Sequence, residues 1–127
     1  MTSPLSGKRV LVLEDEYYLA HDLADALAQC AATVVGPLAE IADAERMLEQ
    51  RAFDCAVLDM NLHGEMAFTL AARLKKEGVP FVIATGYSRA SIPADLADVP
   101  QVEKPVDPAR VISLLGNAVA DQTTGAS

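Results

Sequence analysis

Five polar side chains that could carry out chemistry stand at or just after short apolar runs of this 127-residue sequence. They are Glu14, Asp15, Asp59, Thr85 and Lys104. If the three carboxylates met within ~5 Å, they would repel one another by on the order of 10 kcal/mol at an effective dielectric constant of ~20. One lysine cannot offset that repulsion, but Mg²⁺ favours a site made of one or two carboxylates, several water molecules and a phosphoryl oxygen.

These residue types suit the transfer of a phosphoryl group to an aspartate. A buried carboxylate beside a metal ion can act as a nucleophile and form an aspartyl-phosphate. The transferred group then needs hydrogen-bond donors for its remaining oxygens. A threonine hydroxyl and a lysine ammonium are suitable donors, and the sequence offers Thr85 and Lys104 for these roles.

Short Val-rich apolar runs alternate with amphipathic segments along the chain, which predicts five strand–helix units. Asp107 suits the N-cap of the fifth helix and Pro108 its first position. The predicted strands are RVLVLED, ATVVGP, DCAVLDMN, VPFVIATGYS and PQVEKP. The other predicted helices run from Glu16 to Gln29, from Ile41 to about Arg51, from Phe68 to Gly78, and weakly through SRASIPADLA.

The predicted strands are too short and apolar to be half exposed, which favours a parallel sheet covered by helices on both faces. In such an α/β sheet, ligands bind beyond the carboxyl ends of the strands, where the strand order reverses. The five polar residues follow strands one, three, four and five. We therefore expect them to lie together along one edge of the sheet.

The sequence resembles a response-regulator receiver domain of two-component signalling. The resemblance rests on motifs at the ends of successive strands: the acidic pair Glu14-Asp15, Asp59 within VLDMNLHG, Thr85 within ATG, and Lys104-Pro105. It covers residues 7–120 and leaves residues 121–127 as a polar tail. It implies a flavodoxin-like, doubly wound, five-stranded parallel sheet of order 2-1-3-4-5 with five helices, the fourth short or irregular.

The resemblance also implies the roles of the acidic residues. Asp59 would accept a phosphoryl group from a histidine kinase or a phosphotransfer protein. Mg²⁺ would be held by Asp59, by Asp15 directly and by Glu14 through water. The backbone carbonyl of Asn61 would complete the metal site.

The remaining matching residues concern the response to phosphorylation. Lys104 would pair with the phosphoryl group, Thr85 would move to hydrogen-bond it, and Pro105 would follow a cis peptide bond. Two positions depart from the family pattern. Glu14 stands where Asp is more frequent, and Gln101 replaces the Tyr or Phe that usually precedes the lysine by three residues.

The segment FVIATGYSR is similar to a receiver subclass that carries Phe-Ala-Thr-Gly followed by Gly or Tyr and lacks the aromatic residue on strand five. Ile83 replaces the Phe of that motif. Gly86 would give the loop after strand four backbone freedom. Our hypothesis is that Tyr87, two residues past Thr85, takes over the readout or controls the lifetime of the phosphoryl group.

Such a receiver would be a stand-alone response regulator that signals to an unknown output protein through a conformational change, or serves as a phosphate sink. It would catalyse only its own phosphotransfer and dephosphorylation. Two alternatives remain open: a pseudo-receiver that docks without phosphorylation, and a small aspartyl-phosphate phosphatase. The phosphatase class needs an acid two residues after the nucleophile, where this chain has Asn61. The expected partner surface includes the apolar residues Ile92, Pro93, Leu96 and Val99.

Composition narrows the functional class further. Eighteen acids against ten bases give a formal net charge of −8, which argues against a nucleic-acid-binding surface. No apolar run approaches the ~20 residues that span a bilayer, and the N-terminus has no apolar signal region, so we expect a cytoplasmic protein. Cys30 and Cys55 are expected to be reduced and buried, and His63 to be an exposed loop residue.

Overall fold

The computed structural model describes residues 3–86 and 92–125. Within these ranges, five strands form one parallel sheet and two short strands form a separate hairpin. The sheet contains β1 (Arg9–Leu13), β2 (Thr33–Leu38), β3 (Cys55–Asp59), β6 (Phe81–Thr85) and β7 (Gln101–Glu103); the hairpin contains β4 (Asn61–Leu62) and β5 (Glu65–Met66). The helices are α1 (Tyr17–Gln29), α2 (Ile41–Glu49), α3 (Phe68–Lys76) and α4 (Pro108–Gly125), and a 3₁₀ turn spans Ala94–Leu96.

The sheet has the order β2-β1-β3-β6-β7 with every neighbouring pair parallel. Since β6 and β7 are the fourth and fifth strands of the sheet in chain order, this confirms the predicted flavodoxin-like order 2-1-3-4-5. The chain moves outward from β1 to β2 and then crosses to β3 on the other side. The carboxyl ends of β1 and β3 therefore flank the point at which the strand order reverses, where α/β sheets bind ligands.

The sheet supports two apolar layers because successive strand residues point to opposite faces. Leu58 and Ile83 pack into the layer that also contains the buried residues of α2 and α3. Val57 and Val82 pack into the layer with the buried residues of α1 and α4. Burial on both faces makes β3 and β6 continuous apolar runs, all of whose residues are buried. The two edge strands, β2 and β7, are only partly buried, contrary to the prediction for all five strands.

The predicted helices α1, α2 and α3 are confirmed, and each of their ends lies within two residues of the predicted one. The last helix begins at Pro108, and the Ala109 N–H donates to Asp107 Oδ1 at 3.0 Å, which confirms the predicted N-cap. None of the helices in residues 3–86 and 92–125 has the length and apolar character that crossing a membrane requires.

The fourth predicted helix and the predicted tail differ from the structure. In the described part of SRASIPADLA, only the 3₁₀ turn Ala94–Leu96 forms. Pro93 directly precedes it, and a proline inside a helix removes a backbone hydrogen bond, so the segment cannot form one continuous helix. Residues 87–91, including Tyr87, lie outside the described residues. The helix α4 continues to Gly125, five residues into the predicted tail, and Gln122 ties it to the end of α3 by donating to the Gly78 carbonyl. The boundary of the domain at residue 120 remains a prediction.

The expected apolar partner surface is wrong for three of its residues. Ile92, Leu96 and Val99 are buried and belong to the same apolar layer as the buried residues of α3. A segment that forms only one short turn lies flat on the layer below it, so its apolar side chains fill the core instead of facing solvent.

Candidate functional site

The five polar residues meet at the carboxyl ends of the strands, as the sheet order requires. Glu14 and Asp15 follow β1, Asp59 and Thr85 end β3 and β6, and Lys104 follows β7. One carboxylate oxygen from each of Glu14, Asp15 and Asp59 lies within 4.8 Å of the other two. Two of these acids, Glu14 and Asp59, are buried, so water screens the repulsion between their ionised forms poorly.

Lys104 places one ammonium group among these acids. Its Nζ lies 3.0 Å from Asp59 Oδ2 and 3.3 Å from Glu14 Oε2, where it can donate to both. Glu16 Oε2 lies 3.7 Å away on the exposed side. Burial alone would lower the pKa of Lys104, but the hydrogen bond to Asp59 and the charges of Asp59 and Glu14 outweigh it, so the pKa is raised. Lys104 is therefore charged at neutral pH.

Glu14 is the least satisfied group of the site. Its Oε2 accepts the Glu16 N–H at 3.1 Å, whereas its buried Oε1 has no hydrogen-bond partner among the described residues. Burial and, after it, the Asp59 carboxyl raise the pKa of Glu14 to about 8, against the opposing effects of the Glu16 N–H and the Lys104 charge. A buried oxygen without a partner costs about 1–3 kcal/mol, more for a charged group, so the structure leaves a ligand position here that a cation would fill.

Asp59 is held through both of its carboxylate oxygens. Oδ2 accepts from Lys104, and Oδ1 accepts the backbone N–H of Asn61 at 3.1 Å. The Asn61 side chain is also fixed, because its Oδ1 accepts the Gly64 N–H at 2.9 Å. The first residue of the hairpin therefore orients the carboxylate that precedes it.

Thr85 is buried at the end of β6, and its carbonyl accepts the Lys104 N–H at 2.8 Å. This main-chain bond fixes the positions of Thr85 and Lys104, the two proposed hydrogen-bond donors to the phosphoryl group, relative to each other. Gly86 is exposed directly after Thr85, and Tyr87 lies outside the described residues. The Lys104–Pro105 peptide bond is cis.

The donor set fits Mg²⁺. It consists of hard carboxylate oxygens on adjacent strands, the Glu14 oxygen among them lacks a partner, and the single neighbouring ammonium leaves the carboxylates in excess. Hard divalent cations take oxygen ligands of this kind. The described residues place no thiolate in this cluster and so give no reason to expect a softer metal.

His63 is the contact that sequence reasoning missed. It is exposed, as expected, but its backbone N–H donates to Asp15 Oδ2 at 2.9 Å, and its Nδ1 lies 3.4 Å from the same oxygen. The signal was present in the His-Gly dipeptide at positions 63 and 64. Both residues have positive φ, 52° and 86°, and two such residues make a tight hairpin turn, which folds this loop back over Asp15.

A family model described as the response regulator receiver domain matches residues 10–115. The chain belongs to this family. The fold is thus that of a receiver domain. No curated protein matches the receiver in sequence.

Solved structures similar to this receiver include three from different organisms. The solution structure of SdrG from Sphingomonas melonis Fr1 is 34% identical, covers 90% of this chain and 98% of its own, and gives a TM-score of 0.73. A CheY-like response regulator receiver domain protein from Methanospirillum hungatei JF-1 is 21% identical over 94% of this chain and 99% of its own, with a TM-score of 0.81. The response regulator PhyR from Brucella abortus is 21% identical over 96% of this chain but only 51% of its own, with a TM-score of 0.78.

Proposed function

We propose that this receiver is a phosphoaccepting response regulator of the cytoplasm. Asp59 accepts a phosphoryl group from a histidine kinase or a phosphotransfer protein, and Glu14, Asp15, Asp59 and the Asn61 carbonyl hold Mg²⁺. The observation that carries the proposal is the cluster of three carboxylates with the Lys104 Nζ 3.0 Å from Asp59 Oδ2. The phosphorylated protein then signals to an output protein or drains phosphoryl groups from its kinase.

The phosphoryl transfer needs little rearrangement of the protein. An oxygen of the Asp59 carboxylate attacks phosphorus and a P–O bond to Asp59 forms. The P–N bond to the donor histidine breaks, its electron pair stays on that nitrogen, and the proton on the other ring nitrogen makes the leaving imidazole neutral. Mg²⁺, when bound, supplies positive charge for the phosphoryl oxygens and reduces the repulsion among the carboxylates. Lys104 is already charged and within reach, so its ammonium moves from Asp59 Oδ2 to a phosphoryl oxygen.

Thr85 supplies the second donor and links phosphorylation to the rest of the molecule. Its hydroxyl turns toward a phosphoryl oxygen, and the loop that starts at Gly86 follows. We propose that Tyr87 reads out this movement or controls the phosphoryl lifetime, because Gln101 offers no aromatic ring that could do so.

The decisive experiment is incubation with acetyl phosphate and Mg²⁺ followed by intact mass measurement. The wild type is expected to gain one phosphoryl group, and Asp59→Asn to gain none. Asp25→Asn is the matched control, because Asp25 is an exposed aspartate on α1 and is expected to leave the mass gain unchanged. EDTA is expected to abolish the gain.

The same assay separates the alternatives. A pseudo-receiver would show no mass gain in any variant, and a phosphatase would release phosphate from a separate ester substrate. A gain that persists in Asp59→Asn would contradict the assignment of the phosphoacceptor. For Tyr87→Ala, an unchanged dephosphorylation rate and an unchanged affinity for the output protein would remove its proposed role alone.

A further inference from the structure

The hairpin β4–β5 lies directly after Asp59 and ends in a tight turn at His63 and Gly64. Both turn residues have positive φ, and the Gly64 N–H donates to Asn61 Oδ1 at 2.9 Å, so the turn is closed by a side chain of the hairpin itself. The strands pair Asn61 with Met66 in antiparallel register. The turn is therefore well defined even though it is exposed.

This turn holds the carboxylate of Asp15 from the solvent side. The His63 N–H donates to Asp15 Oδ2 at 2.9 Å, and His63 Nδ1 lies 3.4 Å from that same oxygen. The other oxygen, Asp15 Oδ1, accepts no hydrogen bond from the described residues. One oxygen is thus fixed by the hairpin, and the other is left for a cation.

Asp15 needs such a hold because its neighbours repel it. Its carboxylate belongs to the same cluster as those of Glu14 and Asp59, and Lys104 donates to these two acids but forms no ion pair with Asp15 in the described structure. Without another contact, repulsion would turn the Asp15 side chain outward, because it is the most exposed member of the cluster.

We propose that His63 is a positioning residue for metal binding: the β4–β5 turn, through the His63 N–H and imidazole, holds Asp15 in the orientation that binds Mg²⁺. This inference rests on the proposed function, since it assigns His63 to the same metal site. Groups that hydrogen-bond a metal ligand orient it, and their loss typically weakens metal binding by about 10–100-fold. For an exposed imidazole whose backbone contact survives substitution, we expect the lower end of that effect.

The other histidine of the chain provides a matched control. His21 Nε2 lies 3.4 Å from Asp25 Oδ2, the same separation as in the His63–Asp15 pair, but both members of that pair are more than half exposed. Asp25 is not part of the carboxylate cluster. Removal of either imidazole deletes a carboxylate contact of the same length, and removal of His21 also deletes its stacking on Tyr17. A loss of Mg²⁺ affinity confined to His63→Ala therefore isolates the effect on the metal site.

The test is isothermal titration of the unphosphorylated chain with Mg²⁺ at pH 8.5, in the same buffer for every variant. His63→Ala is expected to weaken Mg²⁺ binding by about tenfold, and His21→Ala to leave it unchanged. His63→Gln, which keeps a side-chain N–H donor, is expected to recover part of the loss. Thermal unfolding in EDTA, expected to be unchanged by His63→Ala, separates weakened binding from damage to the fold.

A second variant tests the turn without touching the imidazole. At Gly64 (φ 86°), an added Cβ would meet no atom within 4 Å, so Gly64→Ala strains only the backbone. It is expected to weaken Mg²⁺ binding in the same direction as His63→Ala.

The outcomes distinguish this inference from the proposed function. If the wild type binds Mg²⁺ and His63→Ala binds it equally well, the positioning role is refuted while the phosphoacceptor proposal stands. Equal losses in His63→Ala and His21→Ala would refute it as well. A wild type that binds no Mg²⁺ would overturn both.

Discussion

The substitution Glu14→Gln should stabilise the metal-free receiver at alkaline pH. In the folded protein, burial and the neighbouring Asp59 carboxyl raise the pKa of Glu14 to about 8 from an ordinary value of 4.5. The folded state therefore keeps a proton that the unfolded chain loses between these two pH values. Stability falls as the pH rises wherever the unfolded state binds fewer protons, so this group weakens the fold progressively from about pH 4.5 to about pH 8.

The magnitude follows from the size of the shift. One pKa unit corresponds to about 1.36 kcal/mol, so the rise from 4.5 to about 8 amounts to on the order of 5 kcal/mol once Glu14 is ionised. Glutamine cannot ionise and has nearly the same shape. The free energy of unfolding of the variant should therefore match that of the wild type near pH 4.5 and exceed it increasingly up to about pH 8.

Urea unfolding in EDTA across this pH range measures the effect. Glu16→Gln is the matched control, because Glu16 lies two residues away with an exposed side chain, and it should leave the pH dependence of the wild type unchanged. Added Mg²⁺ should restore stability to the wild type at pH 8 and less to Glu14→Gln. Wild-type and Glu14→Gln curves that run parallel across the whole range would refute the account of a buried, electrostatically strained carboxylate.

Three further predictions concern residues outside the site. Arg9 donates to both carboxylate oxygens of Asp54 and holds the pKa of Asp54 below its usual range. Asp54→Asn should therefore lower the urea midpoint slightly at pH 7. The difference from the wild type should vanish as acid protonates Asp54. Asp107→Ala should cost about 1 kcal/mol of unfolding free energy in urea titrations through loss of the helix cap, and Asp107→Ser should recover most of it. Burial raises the pKa of the Cys55 thiol to about 12, so iodoacetamide should modify the partly exposed Cys30 first, and Cys55 only after unfolding; equal labelling of both thiols in the native protein would contradict their different burial.

The sheet and its acidic edge could be predicted from sequence because each depends on a short local pattern. Four apolar residues before Glu14 and four before Asp59 mark the ends of β1 and β3, and a parallel sheet necessarily brings such ends together. The meeting of Glu14, Asp59 and Lys104 at one edge then follows from strand order. Strand order does not predict which carboxylate oxygens accept hydrogen bonds, or that Glu14 Oε1 has no partner, because both depend on side-chain rotamers.

The parts that were missed depend on tertiary contacts that a local pattern does not carry. The apolar residues around Leu96 are spaced as in a surface helix. Only a short turn forms there, and the Leu96 side chain packs into the core. Asp121 and Gln122 have the composition of a polar tail, yet α4 extends through them. The Gln122 side chain donates to the Gly78 carbonyl just after α3, which holds this part of the helix in place. The sequence indicates a turn at His63. Its contact with Asp15 cannot be predicted from a local pattern, because the two residues are 48 positions apart.

The central claim is that a cation-dependent acidic pocket lets Asp59 carry an acyl phosphate. Borohydride reduction converts an aspartyl-phosphate to homoserine, so peptide mass mapping after treatment with acetyl phosphate locates the modified residue directly. We expect homoserine at position 59 in the presence of Mg²⁺ and none in EDTA. Homoserine at another aspartate, or equal amounts with and without the cation, would contradict it.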